Sequence, residues 1–228
     1  MRIIFVRHGH PNYQLDCLTE LGKLQAEACG ERLKSEPISK VFTSTLGRAV
    51  ETGEAIAKRH GLDITKLEFM REVRWGSRDG SELYKGGHPW EVGDLIAEKG
   101  DSLTRKNWGE SKYFSNNAVV DAYKTVTEGF DNWIKTLGYE RRGCYYRATE
   151  HNEDTIVLAS HGGSSNIVLS HLLNIPLPLL CSFLRPQFTS ITIINFYRAD
   201  GKRFQPRLEM MNDYLHITGI DAENIIAN

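Results

Sequence analysis

The chain lacks an excess of either charge. Its 28 lysines and arginines stand against 29 aspartates and glutamates, a formal net charge of −1 over 228 residues. General nucleic-acid and membrane-surface binders usually carry a basic excess, so neither partner is expected, and any affinity for anions has to come from a local cluster. No apolar run approaches membrane-spanning length. The first residues read directly as a strand, without the basic region and apolar core of a secretory signal. Cys17, Cys29, Cys144 and Cys181 show no paired spacing of the zinc or redox kind. Free thiols in a reducing compartment follow, with the cytoplasm as the expected location. Internal repeats, low-complexity tracts and linkers are missing too, so one domain over residues 1–228 is expected.

What is present is an alternation of strands and helices. Ile3 to Val6 is a short β-branched run that ends abruptly in Arg7-His8-Gly9. Thr19 reads as the N-cap of a helix through about Lys34, Ile38 to Phe42 as a second strand, and Leu46 to His60 as a helix stopped by Gly61. Leu67 to Met70 reads as a short strand leading into Glu72. From Val73 to about Asn117 the periodicity weakens, and Trp75, His88, Trp90, Trp108 and Tyr113 lie among basic residues. This stretch, about 73–117, reads as an insertion with short helices, for example Pro89 to Lys99. A lid over the sheet is its functional reading, and an aromatic satellite core beneath a long loop is the alternative. Asn117 to Leu137 carries an amphipathic helix with Val120, Tyr123, Val126, Phe130 and Ile134 on one face. Arg141 to Arg147 reads as a solvated connection. Thr155 to Ala159 is a buried strand followed by Ser160-His161-Gly162-Gly163 and a helix through about Leu173, which Pro176 and Pro178 are expected to end. Phe188 to Tyr197 and Arg207 to Met211 read as strands, and the residues after Thr218 as a peripheral tail.

Strand–helix alternation of this kind implies an α/β fold: a three-layer α/β/α sandwich with a mostly parallel central sheet and a mainly helical insertion over one end. Parallel strands gather their carboxyl ends at one edge, where open α/β sheets hold ligands. Arg7, His8, Arg48 and His161 would therefore surround one pocket. Arginine forks suit phosphate oxygens, helix N-termini near Leu46 and Gly162 add backbone donors, and Gly9 lets the backbone approach a ligand closely. Taken alone, Arg7-His8-Gly9 fits either a histidine nucleophile beside an anion-binding cation or merely a charged strand end.

Four segments together carry a resemblance. Arg7-His8-Gly9, Thr43-Ser44-Thr45-Leu46-Gly47-Arg48-Ala49, Glu72 with Gly76, and Ser160-His161-Gly162-Gly163 resemble the histidine phosphatase superfamily, also called phosphoglycerate mutase-like. Leu18-Thr19-Glu20-Leu21-Gly22 with Gln25-Ala26 matches a further run of that family. The resemblance implies that His8 attacks phosphorus and carries a transient phosphohistidine. Arg7, Arg48 and His161 would neutralise the transferring oxygens, and Glu72 would protonate the leaving oxygen and then take a proton from water. Gly9 and Gly162 would lie against the phosphate, and Asn12 is either a further phosphate contact or a turn residue. The chain departs from the common pattern at His10, where many members have Glu, and at Asp79-Gly80, where many have Glu-Gly. Both positions line the mouth of the expected pocket, so a substrate does not transfer from better-known members.

The expected activity is phosphomonoester hydrolysis of a small phosphorylated molecule by a histidine acid-type phosphatase, with no metal and no cofactor. A phosphoglycerate-type mutase is the alternative. Mutases of that type carry a longer tryptophan-containing segment after Arg-His-Gly, whereas Pro11 to Cys17 is short and has none. His8-Gly9-His10 would also suit a metal pair in a barrel hydrolase, but Arg7 and Arg48 would crowd a cation, and the chain is short for such a barrel. A binder with a dead pocket would not need every core residue. Ser164 or Ser165 as a hydrolase nucleophile lacks a Gly-x-Ser-x-Gly elbow. Oligomeric state is not legible in the sequence.

Overall fold

The computed structural model describes residues 1–197 and 201–220. Elements run in chain order as β1 (Arg2–Arg7), α1 (Glu20–Leu33), β2 (Ile38–Ser44), α2 (Gly47–His60) and β3 (Ile64–Leu67). Then come α3 (Pro89–Lys99), α4 (Val119–Thr136), β4 (Tyr139–Arg142), β5 (Tyr145–Ala148), β6 (Thr155–Ser160) and α5 (Gly162–Leu173). The last are α6 (Leu177–Phe183), β7 (Ile191–Asn195), β8 (Arg203–Phe204) and β9 (Arg207–Asp213). The main sheet has the order β9-β7-β1-β6-β2-β3. β1, β6, β2 and β3 are mutually parallel, whereas β7 is antiparallel to both β1 and β9.

Period-two alternation within the central strands divides the core. Ile4 and Val6 pack with Cys29, Leu33, Ile56 and Val157 on the α1–α2 side. Ile3 and Phe5 pack with Phe130, Ile156, Leu158, Ile167 and Leu172 on the α4–α5 side. Because helices cover both faces, these strands read as continuous apolar runs rather than as alternating ones. The expected α/β sandwich with a mostly parallel sheet is the observed one. Among the described residues no single helix is long and apolar enough to cross a membrane.

Four local expectations need correction. Residues 67–70 are not a strand: β3 ends at Leu67, and Glu68–Met70 is a single 3-10 turn. That turn lifts the chain off the sheet, and its Met70 carbonyl accepts from Ser164 Oγ at 3.1 Å. Residues 141–147 are not a solvated connection. β4 and β5 pair antiparallel around Tyr146, which is fully buried, and with β8 they form a second, three-stranded sheet. Its basic residues alternate with buried aromatics, and Arg141 lies 5.1 Å over the Tyr146 ring, so stacked guanidinium stems cover apolar surface. Pro176 and Pro178 do not end α5, which stops at Asn174 in the left-handed region (φ 57°). They begin α6, since proline suits the first turn, where its missing N–H has no partner to lose. The strand expected over 188–197 is confined to Ile191–Asn195. Of the tail expected after Thr218, residues 221–228 lie outside the described residues.

Within residues 73–117 the expected helix is present as α3, and Asn117 holds the segment together. Its buried side chain donates from Nδ2 to Gly87 O at 2.7 Å, while Oδ1 accepts from Gly76 N at 3.2 Å and Val119 N at 3.0 Å. Gly87 has φ 75°, and a Cβ there would stand 2.5 Å from Asn117 Nδ2, so only glycine fits this clamp. Arg78 adds a two-pronged bond to Asp121, at 2.8 and 2.7 Å. The aromatic residues divide. Trp75, His88 and Trp90 line a cleft at the sheet edge, whereas Trp108 packs against Phe114 and Tyr123 in the core. One part of the segment is thus an aromatic satellite core, and another lines the cleft.

Candidate active site

The carboxyl ends of β1, β2 and β6 meet as parallel pairing requires, and His8 sits where they converge. Its ring is 1% exposed, and its backbone N–H donates to Ser160 O at 2.9 Å. Nδ1 lies 2.7 Å from Gly9 O, and Nε2 lies 3.4 Å from Arg48 Nε. A carbonyl only accepts and a guanidinium only donates, so Nδ1 carries the proton and Nε2 presents a lone pair. Burial, reinforced by the cation of Arg7, pushes the imidazole well below its ordinary range. That is the state an attacking nitrogen needs.

Gly9 is fixed by close packing. A Cβ there would stand 2.5 Å from Gly22 O, and Gly9 N–H donates to Thr52 Oγ1 at 3.1 Å. Thr52 in turn donates to Arg48 O at 2.8 Å, joining the His8 loop to the first turn of α2. Arg48 is held by Asp16, whose Oδ1 accepts from Nη1 while its Oδ2 accepts from Gly47 N at 2.8 Å. Arg7 is held from the other side. Its Nη1 donates to Pro186 O, and its guanidinium lies 4.2 Å over the Phe188 ring.

His161 stands 5.1 Å from the His8 ring in an edge-on arrangement. Its Nε2 is 2.8 Å from Ser44 Oγ, and its Nδ1 is buried without a partner. Burial, then the neighbouring His8 and arginines, lowers its affinity for a proton well below the usual value. With Ser44 donating to Nε2, the neutral ring keeps an unpaired N–H at Nδ1. Arg7 Nε is likewise buried and unpaired. Buried donors almost always have partners, so two orphans around one imidazole mark a place built for an anion.

Glu72 faces this cluster from the residues after β3. Its Oε1 accepts from Val73 N at 3.0 Å and Gly163 N at 3.1 Å. Burial raises its pKa from the ordinary carboxyl value despite those bonds and the pull of Arg7 and Arg48. Among the described residues no ion pair holds it, and Arg71 pairs with Glu68 instead. Gly162 and Gly163 open α5 beside it. A Cβ on Gly163 would lie 2.5 Å from Glu72 Oε1 and 2.6 Å from Val73 Cγ2, so glycine is needed for this approach. Gly163→Ala is expected to lower kcat about 10²-fold, the order of loss for an ångström of misplacement, with the protein still folded. Steady-state kinetics with a circular dichroism spectrum of the variant tests this.

Arg7, Glu72, Gly162 and Gly163 line a cleft of about 400 Å³ that continues outward past Tyr13, Trp75, His88 and Trp90. Arg7, His8, Gly9, Arg48, His161, Gly162 and Glu72 are therefore brought together. Asn12 stands apart in role, since its Oδ1 accepts from Gln14 N and Leu15 N at 3.1 and 3.2 Å, closing a turn. Asp16, Thr52, Gly163 and Phe188 were not singled out by the sequence. Gly163 had a signal in the doubled glycine, whereas Phe188 had none, because it reaches Arg7 from the loop before β7, far along the chain. Among the described residues no group of three or more His, Cys, Asp or Glu could hold a metal ion.

The buried and half-buried histidines also set an acid limit. His8, His88, His161, His171 and His216 are all pushed below the ordinary value of 6.5, chiefly by burial. Below that value the unfolded chain binds protons that the folded chain refuses, so stability falls as pH falls. Glu72, raised, works with the opposite sign but is one group against five. The Tm is expected to fall steadily from pH 7 to pH 5, and a Tm that held or rose would show these rings charged in the fold.

Comparison with known proteins agrees with this geometry. The probable phosphoglycerate mutase GpmB of Photorhabdus laumondii is 38% identical over 85 residues, 33% of this chain. The chain spans only about 40% of the length of that relative. A 2,3-bisphosphoglycerate-dependent phosphoglycerate mutase of Corynebacterium diphtheriae is 26% identical over 202 residues, 76% of this chain and 77% of its own. A phosphoserine phosphatase of Entamoeba histolytica, solved with 3-phosphoglyceric acid, shares the fold at TM-score 0.61 and 20% identity, over 95% and 98% of the two chains. A mycobacterial glucosyl-3-phosphoglycerate phosphatase does so at 0.60 and 22%, over 92% and 98%. The sequence profile of one family matches residues 3–132, more than half of the chain. On that match, and on a fold shared along nearly its whole length, the protein belongs to the histidine phosphatase superfamily (branch 1).

Proposed function

We propose that the protein is a phosphomonoesterase that hydrolyses a small phosphorylated molecule through a phosphohistidine on His8. The carrying observation is the buried imidazole whose Nδ1 is committed to Gly9 O, while the Nε2 lone pair faces the Arg48 guanidinium at 3.4 Å. In the proposed first step the Nε2 pair forms a P–N bond, the P–O ester bond breaks, and the leaving oxygen keeps the pair of that broken bond and takes the Glu72 proton. Oε1 already accepts two backbone N–H groups, so the proton resides on Oε2. In the second step water attacks phosphorus and returns a proton to Glu72, and the P–N bond breaks back to Nε2. Arg7, Arg48, His161 and the Gly162 end of α5 oppose the charge on the phosphoryl oxygens throughout.

No step here uses a metal, so we propose activity that survives a chelator. The unit is read as one domain, with residues 73–117 as the lid that narrows the cleft. Phosphoglycerate mutation is the second reading, favoured by the names of the sequence relatives. Phosphate release from a panel of phosphomonoesters in the presence of a chelator separates the two. Steady release of inorganic phosphate is expected. Transfer of the label between two positions of a phosphoglycerate, without release, would install the mutase instead.

A further inference from the structure

Beyond the phosphate-holding end, the cleft has a wall of a particular chemistry. Trp75 and His88 lie 4.5 Å apart edge to face, His88 and Trp90 5.2 Å, and the two tryptophans 6.1 Å. The polar edge of Trp90 is spent, because Nε1 donates to Leu184 O at 2.9 Å. His88 is kept from charging chiefly by burial. The charged groups at this end are few and unbalanced. Glu91 and Arg185 both line the cleft, but Arg185 is bound to Asp94 at 2.8 Å and to Glu91 at 3.6 Å, two carboxylates to one guanidinium. The wall is also rigid, since Asn117 fixes Gly76 and Gly87, the neighbours of Trp75 and His88. A site fixed before binding loses little to ordering its ligand.

Resting on the phosphomonoesterase reading, we propose that this outer half selects esters whose leaving group is planar and apolar, and turns away those carrying a second anionic group. Ring faces of Trp75 and His88 offer stacking to such a group. A carboxylate or second phosphate placed there meets Glu91 and an arginine already neutralised by its own carboxylates. Trp75 is the contact residue and Glu91 the excluding one.

Nonhydrolysable phosphonates test this without any difference in leaving-group reactivity. Calorimetry measures benzylphosphonate, methylphosphonate and phosphonoacetate on the wild type, Trp75→Ala and Glu91→Gln. Benzylphosphonate is expected to bind about tenfold tighter than methylphosphonate, a step of one ring stacked and buried. Phosphonoacetate is expected to bind more weakly than methylphosphonate. In Trp75→Ala the benzyl-to-methyl ratio should fall to within about threefold of unity, and Glu91→Gln should relieve the phosphonoacetate penalty. The wild-type ratios decide the matter even if a variant folds poorly. Phosphonoacetate binding tightest, or a benzyl preference that survives the loss of Trp75, overturns the proposal. Tight benzylphosphonate binding with no ester turned over would support the selectivity while removing the hydrolase reading on which its use in catalysis rests.

Discussion

His8→Ala is expected to reduce kcat/KM for every phosphomonoester by about 10⁴-fold or more, the scale of losing a nucleophile that defines the reaction path. The fold should survive. His8 is held by its own backbone, through its N–H to Ser160 O, and by Gly9 against Gly22. Neither contact uses the imidazole. Arg7, Arg48 and His161 would remain, so inorganic phosphate should still bind, and calorimetry on the variant should detect it. Covalent label should not appear. With wild type, a rapid acid-sparing quench after a labelled ester should leave phosphate on the protein in an acid-labile, base-stable form, as a phosphoramidate requires. A variant that keeps more than about one part in a hundred of the wild-type rate would mean that water, or another side chain, attacks phosphorus directly.

The reason to place the largest effect on this residue is electrostatic. A protonated imidazole cannot attack, and one buried between two guanidiniums is kept unprotonated by cost rather than by chance. In the proposed mechanism Arg7 and Arg48 act twice: they add to the burial that keeps His8 unprotonated before the ester arrives, and they would oppose phosphoryl charge afterwards. Asp16 and Phe188 matter because they hold those cations without discharging both. One takes Arg48 by a single nitrogen and the other takes Arg7 by its π face. Loss of Phe188 would loosen Arg7 without removing a polar bond.

How far this site was legible depends on how each residue is placed. Arg7, His8, Arg48 and His161 stand at the ends of parallel strands or the first turns of helices, so chain order and the sheet rule suffice to gather them. Glu72 is different. No period positions it, and it reaches the cluster only because a 3-10 turn at Glu68–Met70 ends β3 early, where the sequence suggested more strand. Four residues rich in apolar side chains satisfy strand and turn patterns alike, and the choice is made by Met70 entering the core. The β4–β5 sheet was hidden by its arginines, whose stems cover what their heads conceal in a sequence reading. Asn117 looked like the edge of a helix and is the clamp of the whole insertion. A side chain whose partners are the backbone atoms of Gly76 and Gly87, 41 and 30 positions earlier in the chain, leaves no local pattern to read.

Glu72→Gln should show a loss that depends on what is leaving. For an alkyl phosphate, whose alkoxide cannot depart unprotonated, kcat should fall about 10²- to 10⁴-fold, the usual worth of a positioned general acid. For 4-nitrophenyl phosphate, whose leaving phenolate is stable without a proton, formation of the phosphoenzyme should change only a few-fold. The amide can still accept from Val73 N and Gly163 N through its carbonyl, so the site's geometry is kept and the proton alone is removed. The pH profile carries the sign. Catalysis of the first step needs His8 unprotonated and Glu72 protonated. Burial moves His8 down and Glu72 up, so the two requirements overlap over a wider range of pH than free side chains would allow. Wild-type kcat/KM for an alkyl phosphate should therefore decline on the alkaline side as Glu72 loses its proton, and that decline should vanish in Glu72→Gln while the acid limb, set by His8, remains. Equal losses for both esters, or an alkaline limb unchanged by the substitution, would assign the proton to another group. Among the described residues no second carboxyl is free for this within the cluster: Asp16 is held by Arg48 and Gly47 N, and Glu91 belongs to the outer wall beside Arg185. The two displacements then share one acid, which must give its proton to the alcohol before it can take one from water. In the proposed mechanism that ordering would let the alcohol depart while the phosphoryl group waits on His8, and the same carboxyl that gave up its proton would receive one from the water that follows.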